Sequence, residues 1–235
     1  MGRIKAEVTR DKDVRIMIVD DHPVFRLGLR VLIHEETDLV VCAEAEDAAM
    51  AWNEIQRVKP DMVITEISLK GRDGISLVKE ISRYYSHMPV LVVSMHDERW
   101  FAERCLLAGA KGYIMKQETM TSIKKAIHCV LSGKIYLSER LKDLVLIQFA
   151  GRSTTADKAS VDTLSDRELE VYGLIGLGFG TNEIAQKLNL SMKTIGCYRE
   201  RIKKKLCLKS GNELVRNAIH WVENEHPRME TDPMH

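Results

Sequence analysis

Five apolar runs alternate with five stretches of helical period along the first 133 residues, and four of the runs end in a polar group. The runs predict strands over 15–19, 39–43, 61–66, 89–94 and 111–115, and the amphipathic stretches predict helices over 23–35, 47–58, 74–85, 98–109 and 118–131. Strand and helix in strict alternation imply a parallel sheet covered on both faces, which is why the strands are apolar throughout instead of every second residue. Ligands of such sheets sit at the carboxyl ends of the strands. Those ends carry Asp20 and Asp21 after Ile16-Met17-Ile18-Val19, Glu66 after Met62-Val63-Ile64-Thr65, Ser94 after Val90-Leu91-Val92-Val93, and Lys116 after Tyr113-Ile114-Met115. Three acids, a hydroxyl and a lysine are therefore expected at one sheet edge.

Acids crowded together repel one another unless a cation lies between them. Oxygen ligands with open positions suit Mg²⁺, so Asp20 and Asp21 are a candidate weak Mg²⁺ site. A lysine and a hydroxyl beside it would supply the charge and hydrogen bonds that an incoming phosphoryl group needs. This reading requires no cofactor, with Mg²⁺ a possible one.

The chain has 235 residues, enough for two ordinary domains, and a formal net charge of +1, so charge informs only when the chain is divided. The five cysteines (Cys42, Cys105, Cys129, Cys197 and Cys207) form no CxxC pair, which argues against a structural zinc site or a disulfide framework. No apolar stretch reaches the roughly 18–20 residues that span a bilayer, and the charged start has no signal-peptide core. A cytoplasmic protein with no membrane partner is expected.

The pattern changes after Gly133. The first domain is taken as 14–133, a linker with one short helix near 141–149 as 134–161, and an all-helical domain as 162–225. The polar stretch 151–160 has no period. Ser165 with Glu168 three residues on forms a capping box, and helices fit 166–177, 181–188, 192–206 and 211–223. A short helix, the turn Asn189-Leu190-Ser191 and a basic helix make a helix-turn-helix, whose second helix enters the major groove. That helix and its end carry Lys193, Arg199, Arg201, Lys203, Lys204, Lys205 and Lys209 against Glu200 alone. Ile184, Ala185, Leu188, Leu190, Ile195, Ile202 and Leu206 have the spacing of buried faces on two crossing helices. In the last helix Leu214, Val215, Ala218, Ile219 and Val222 share a side that reads equally as core or as a dimer face.

The strand-end residues resemble the receiver domain of two-component response regulators. The run Leu164-Ser165-Asp166-Arg167-Glu168, Thr181-Asn182-Glu183-Ile184-Ala185, Lys193-Thr194-Ile195 and Lys205-Leu206 resembles the LuxR-type DNA-binding domain. Together they resemble the NarL/FixJ response-regulator family. The resemblance implies a flavodoxin/CheY-like α/β receiver, a five-stranded doubly wound parallel sheet, followed by a small all-α helix-turn-helix domain. It implies a transcription regulator, not an enzyme, that binds double-stranded DNA as a homodimer.

Residue by residue, the resemblance makes Asp20 and Asp21 metal acids, Glu66 the phosphoryl acceptor, Ser94 the switch hydroxyl, Tyr113 the switch aromatic and Lys116 the pocket lysine. It makes Thr181, Asn182, Lys193 and Thr194 phosphate contacts, Gly196, Cys197, Arg199 and Glu200 base-reading positions, and Lys203, Lys204 and Lys205 sources of sequence-independent affinity.

Glu66 departs from the pattern, which has aspartate there, and Lys70 stands where proline is common. One extra methylene moves the carboxylate by roughly 1.5 Å, and a 1 Å misplacement can cost about a hundredfold in rate. The expectation is a receiver that works without aspartyl phosphorylation. Two alternatives stay open: phosphorylation by a sensor histidine kinase on Glu66 or a neighbouring acid such as Asp61, and regulation of the receiver by a protein or metabolite.

Overall fold

A computed structural model describes residues 13–69, 74–139, 141–142, 161, 163–188 and 190–225, and the chain divides into two compact units. The strands are β1 (Val14–Val19), β2 (Leu39–Ala45), β3 (Met62–Thr65), β4 (Val90–Ser94) and β5 (Gly112–Met115). They pair in parallel in the order β2-β1-β3-β4-β5. Between and after them run α1 (Pro23–His34), α2 (Ala48–Val58), α3 (Gly74–Tyr84), α4 (Glu98–Leu107) and α5 (Met120–Leu131). This is the expected doubly wound α/β fold.

Every residue of β3 and β4 is buried, which is the physical cause of their unbroken apolar sequence. Ile16, Ile18, Met62, Ile64, Leu91, Val93 and Ile114 form a core with Leu29, Leu32 and Ile33 of α1 and Ile123, Ile127 and Val130 of α5. Each such side chain contributes about 1.5–3 kcal/mol on leaving water. The edge pair slips once: Ile16 lies opposite Val41 but Met17 opposite Ala43, which leaves Cys42 out of register. Asp47 caps α2 by accepting from the Met50 amide at 2.8 Å, and Thr119 caps α5 by accepting from Ser122 at 3.2 Å.

The second unit holds α6 (Asp166–Gly176), α7 (Thr181–Lys187), α8 (Met192–Lys205) and α9 (Gly211–Glu225). Ser165 and Glu168 form the capping box, the Ser165 amide donating to Glu168 Oε2 at 2.8 Å. Ile184, Ala185, Ile195 and Ile202 are buried, whereas Leu188, Leu190 and Leu206 are only half-buried. A Cβ on Gly176 would lie 2.4 Å from the Ala218 carbonyl, so the glycine lets α6 and α9 touch. Leu214, Ala218 and Val222 are buried within the unit, which makes that part of the α9 stripe core; Val215 and Ile219 stay half-buried.

The last turn of α8 ends in a Schellman motif: Leu208 donates to the Lys203 carbonyl at 2.8 Å and Cys207 to that of Lys204. The same motif closes α4, α5 and α6 with Gly109, Gly133 and Gly178 at the left-handed position, but α8 has Cys207 there at φ 55°. A Cβ in that conformation is strained. Cys207→Gly is therefore expected to stabilise this unit by about 0.5–1 kcal/mol, read as a higher urea midpoint.

Of the helix expected near 141–149, Leu141 and Lys142 are helical and the rest lies outside the described residues, as do Lys70 and the stretch 151–160. All five cysteines are free thiols.

Candidate functional site

Strand order reverses between β1 and β3, which opens a crevice at their carboxyl ends. Backbone bonds hold that edge. Glu66 donates to the Val19 carbonyl at 2.9 Å, Asp20 to Ala45 at 3.0 Å and Lys116 to Ser94 at 2.7 Å. Asp20, Glu66 and Lys116 are thus the first residues beyond β1, β3 and β5 and Ser94 is the last within β4, each tied to a neighbouring strand.

The side chains converge on Glu66, which is 3% exposed. Its Oε1 accepts from the Ser94 hydroxyl and from the Ile67 amide at 2.7 Å, and its Oε2 lies 2.9 Å from Lys116 Nζ. Lys116 Nζ also touches Asp20 Oδ2, and the Phe25 ring centroid is 4.4 Å away. Asp20 and Lys116 are as deeply buried as Glu66. An ammonium between two buried carboxylates offsets charge that would otherwise make the crevice unstable. Tyr113 is fully buried and donates to the His96 carbonyl at 2.9 Å. Burial pushes its phenol well above the usual range, with a hydrogen bond to Ser94 opposing. Asp20, Glu66, Ser94, Tyr113 and Lys116 are therefore brought together.

Asp21 is displaced from this cluster towards solvent, its Oδ1 lying 2.9 Å from His22 Nδ1. Asp20, Asp21 and His22 present ligand atoms within 4.8 Å of one another, a donor set that fits a divalent cation. One expected alternative acceptor is corrected. Asp61 precedes β3, accepts from the Arg15 amide at 2.8 Å and lies at the opposite edge of the sheet.

Sequence reasoning missed two residues beside the carboxylate. Ser68 Oγ lies 2.5 Å from His96 Nε2, and the amides of Ser68 and Met95 approach Glu66 at 3.4 and 3.3 Å. The signal was available, since both follow a strand-end residue by two positions, but neither belongs to a strand. Arg26 was missed as well; it donates to the Asp20 carbonyl and pairs with Glu44 at 3.4 Å.

In the helical unit Ser191 caps α8, accepting from the Thr194 amide at 3.0 Å and contacting its hydroxyl at 2.8 Å. Thr181 is half-buried and Asn182 exposed at the start of α7. Lys193, Cys197, Glu200 and Lys204 are exposed along α8, while Gly196, Arg199 and Lys203 are half-buried. Lys203 pairs with Glu200 at 2.8 Å.

Lys205 also makes contacts inside the helical unit. Its Nζ reaches Glu168 Oε2 at 2.7 Å and the Thr163 carbonyl at 3.0 Å, so it fastens α8 to the capping box. Burial opposes the charge of Glu168, but Lys205 and the Ser165 amide outweigh it and hold the carboxyl below its ordinary value.

The fold and this edge define a two-component response regulator: a receiver joined to a helix-turn-helix unit. Residues 16–128 match the response regulator receiver domain and residues 162–218 match the bacterial regulatory proteins of the luxR family. The oxygen regulatory protein NreC of Staphylococcus haemolyticus is 33% identical over 210 residues, covering 88% of this chain and 97% of that protein. Among solved structures, a LuxR-family response regulator from Aurantimonas is 32% identical with a TM-score of 0.56, covering 59% of this chain and 99% of that one. RcsB of Salmonella enterica serovar Typhimurium, bound to promoter rprA in the presence of the phosphomimetic BeF3-, is 28% identical with a TM-score of 0.56, covering 88% and 98%. The chain belongs to the NarL/FixJ family of response regulators with a LuxR-type DNA-binding domain.

Proposed function

We propose that this protein is a cytoplasmic transcription regulator that binds double-stranded DNA as a homodimer, and whose receiver reaches its output state without aspartyl phosphorylation. The observation that carries the second part is the bond from the Ser94 hydroxyl to Glu66 Oε1. In the receivers this chain resembles, the hydroxyl and the aromatic move towards a phosphorylated acceptor. Here Ser94 already engages the glutamate, and Tyr113 is buried with its hydroxyl on the His96 carbonyl. The longer side chain places a fixed negative charge between Lys116 and Ser94, where an acyl phosphate would put one.

Both Glu66 oxygens are held by donors, which also argues against the glutamate as a nucleophile. Asp20 and Asp21 would hold a Mg²⁺, whose chemistry is to neutralise a phosphoryl group; the output proposed here needs none. The DNA-binding and dimeric parts rest on the luxR-family match and on the solved structure of two RcsB dimers bound to two parallel DNAs. The half-buried Val215 and Ile219 of α9 are offered for the dimer contact. No helix among the described residues is long and apolar enough to cross a membrane.

The test is binding of genomic DNA fragments by the purified full-length protein with no phosphoryl donor, followed by titration of the selected site with Glu66→Gln. The wild type is expected to bind with an affinity unmoved by acetyl phosphate and Mg²⁺. Glu66→Gln, which keeps the shape and removes the charge, is expected to bind about tenfold more weakly, a typical allosteric coupling. A wild type that binds only after phosphoryl donor is added would sink the reading.

A further inference from the structure

The chain that leaves α5 turns back onto the sheet. Tyr136 lies parallel to β5, opposite Gly112. Its amide donates to the Lys111 carbonyl at 2.9 Å, and its carbonyl accepts from the Tyr113 amide at 3.2 Å. Two residues on, Ser138 Oγ donates to Glu98 Oε1 at 2.8 Å, in the first turn of α4. Glu98 is buried, and a hydrogen bond to a carboxylate is stronger than one between neutral groups. Tyr136 packs against the core of the sheet, while Ser132, Gly133, Lys134 and Ile135 before it are exposed.

Gly112 fits this approach. A glycine weakens a strand and marks a place where another backbone comes near. A Cβ there would lie 3.0 Å from Tyr136 Cβ, 2.9 Å from Leu91 Cδ1 and 3.1 Å from Val130 Cγ2.

Tyr113 joins this segment to the Glu66 crevice. Its amide holds Tyr136, and its hydroxyl donates to the His96 carbonyl at 2.9 Å. The His96 amide donates to Ser94 Oγ at 3.2 Å, and Ser94 donates to Glu66. A chain of hydrogen bonds thus runs from Glu66 through Ser94, His96 and Tyr113 to the residues that follow α5.

We infer that residues 136–138 are a strap that clasps the start of the linker to β5 and α4 while Tyr113 is bonded to His96, and that loosening of Tyr113 releases it. This rests on the reading of Glu66 as the group that sets the output. The coupling is reciprocal: release of the strap also loosens the crevice.

Continuity of contacts is coupling only where a change at one end is read at the other. The experiment is amide hydrogen exchange of the full-length protein without DNA, comparing wild type, Tyr113→Phe, Ser138→Ala and Ser138→Thr. Tyr113→Phe removes the hydroxyl and keeps the backbone bonds to Tyr136. It is expected to raise exchange at the Tyr136 amide about tenfold, whereas a strap held by packing alone would not respond. Ser138→Ala is expected to raise the same exchange about tenfold, and Ser138→Thr, which keeps the hydroxyl, to stay near wild type. On the DNA site selected by the wild type, Ser138→Ala is expected to bind about fivefold more weakly. Unchanged exchange at Tyr136 in Tyr113→Phe or in Ser138→Ala overturns the inference, as does faster exchange with unchanged DNA affinity in Ser138→Ala. A wild type that binds DNA only after phosphoryl donor is added overturns the reading of Glu66, and exchange at Tyr136 still decides whether Tyr113 holds the strap.

Discussion

Replacing Lys116 by methionine is expected to destabilise the α/β unit by about 3–5 kcal/mol, the usual loss when one partner of a buried ion cluster is removed. Lys116 is 4% exposed and stands between Asp20 and Glu66, which are 2% and 3% exposed. Methionine keeps most of the length of the side chain but leaves two buried carboxylates facing one another. The Ser94 hydroxyl and the Ile67 amide both donate to the glutamate and cannot remove the repulsion. The loss should concentrate in β3, β4 and β5, so amide hydrogen exchange at Val63, Ile64, Leu91 and Val92 is the direct measurement. A change below about 1 kcal/mol, the range of exposed pairs, would mean that the two acids are not held as a closed cluster. The double change Lys116→Met with Glu66→Gln removes one of the facing charges and is expected to recover a large share of the loss.

Removing Lys193 and Lys204 together is expected to weaken DNA binding about a hundredfold at 0.1 M salt. Both are exposed on α8, and neither is needed by the core formed by Ile195 and Ile202. Each phosphate contact contributes about 0.9 to the slope of log affinity against log salt, or close to a factor of ten at 0.1 M. Lys193→Ala/Lys204→Ala should therefore lower the slope by about two, equally on operator and random DNA. An unchanged slope would place the phosphate contacts elsewhere. Lys205 makes the internal comparison: its ammonium is held by Glu168 and the Thr163 carbonyl, so Lys205→Ala should lower the stability of the helical unit more than the salt slope.

Much of the fold was legible because its physics is local. A strand covered on both faces must be apolar at every residue, so β1, β3, β4 and β5 stand out as runs, and the polar residue that ends each run marks the sheet edge. Ser165 and Glu168 announce α6, since a capping box is a contact between residues three apart. The whole strand-end set was legible for the same reason: direction along a strand decides which end a residue occupies. The same rule places Asp61, which precedes β3, at the opposite end of the strand from Glu66, so it is a neighbour in sequence and not in the crevice.

Contacts between long side chains were not legible. Lys205 sits among cations and reads as one more of them, yet it reaches a glutamate 37 residues earlier. Leu188, Leu190 and Leu206 have core spacing but remain half-buried, because a unit of short helices has too little interior to cover every apolar residue.

What the sequence determined by itself is the order of elements, the direction of every strand and the five polar groups that end at one edge. Each depends on interactions between neighbours along the chain or on periodicity within one element. What only the tertiary structure decided is the pairing of the polar groups: Lys116 with both Asp20 and Glu66, Ser94 with Glu66, and Lys205 with the capping box. A lysine side chain has several rotatable bonds, and its partner is chosen by which carboxylate the fold has already buried within reach.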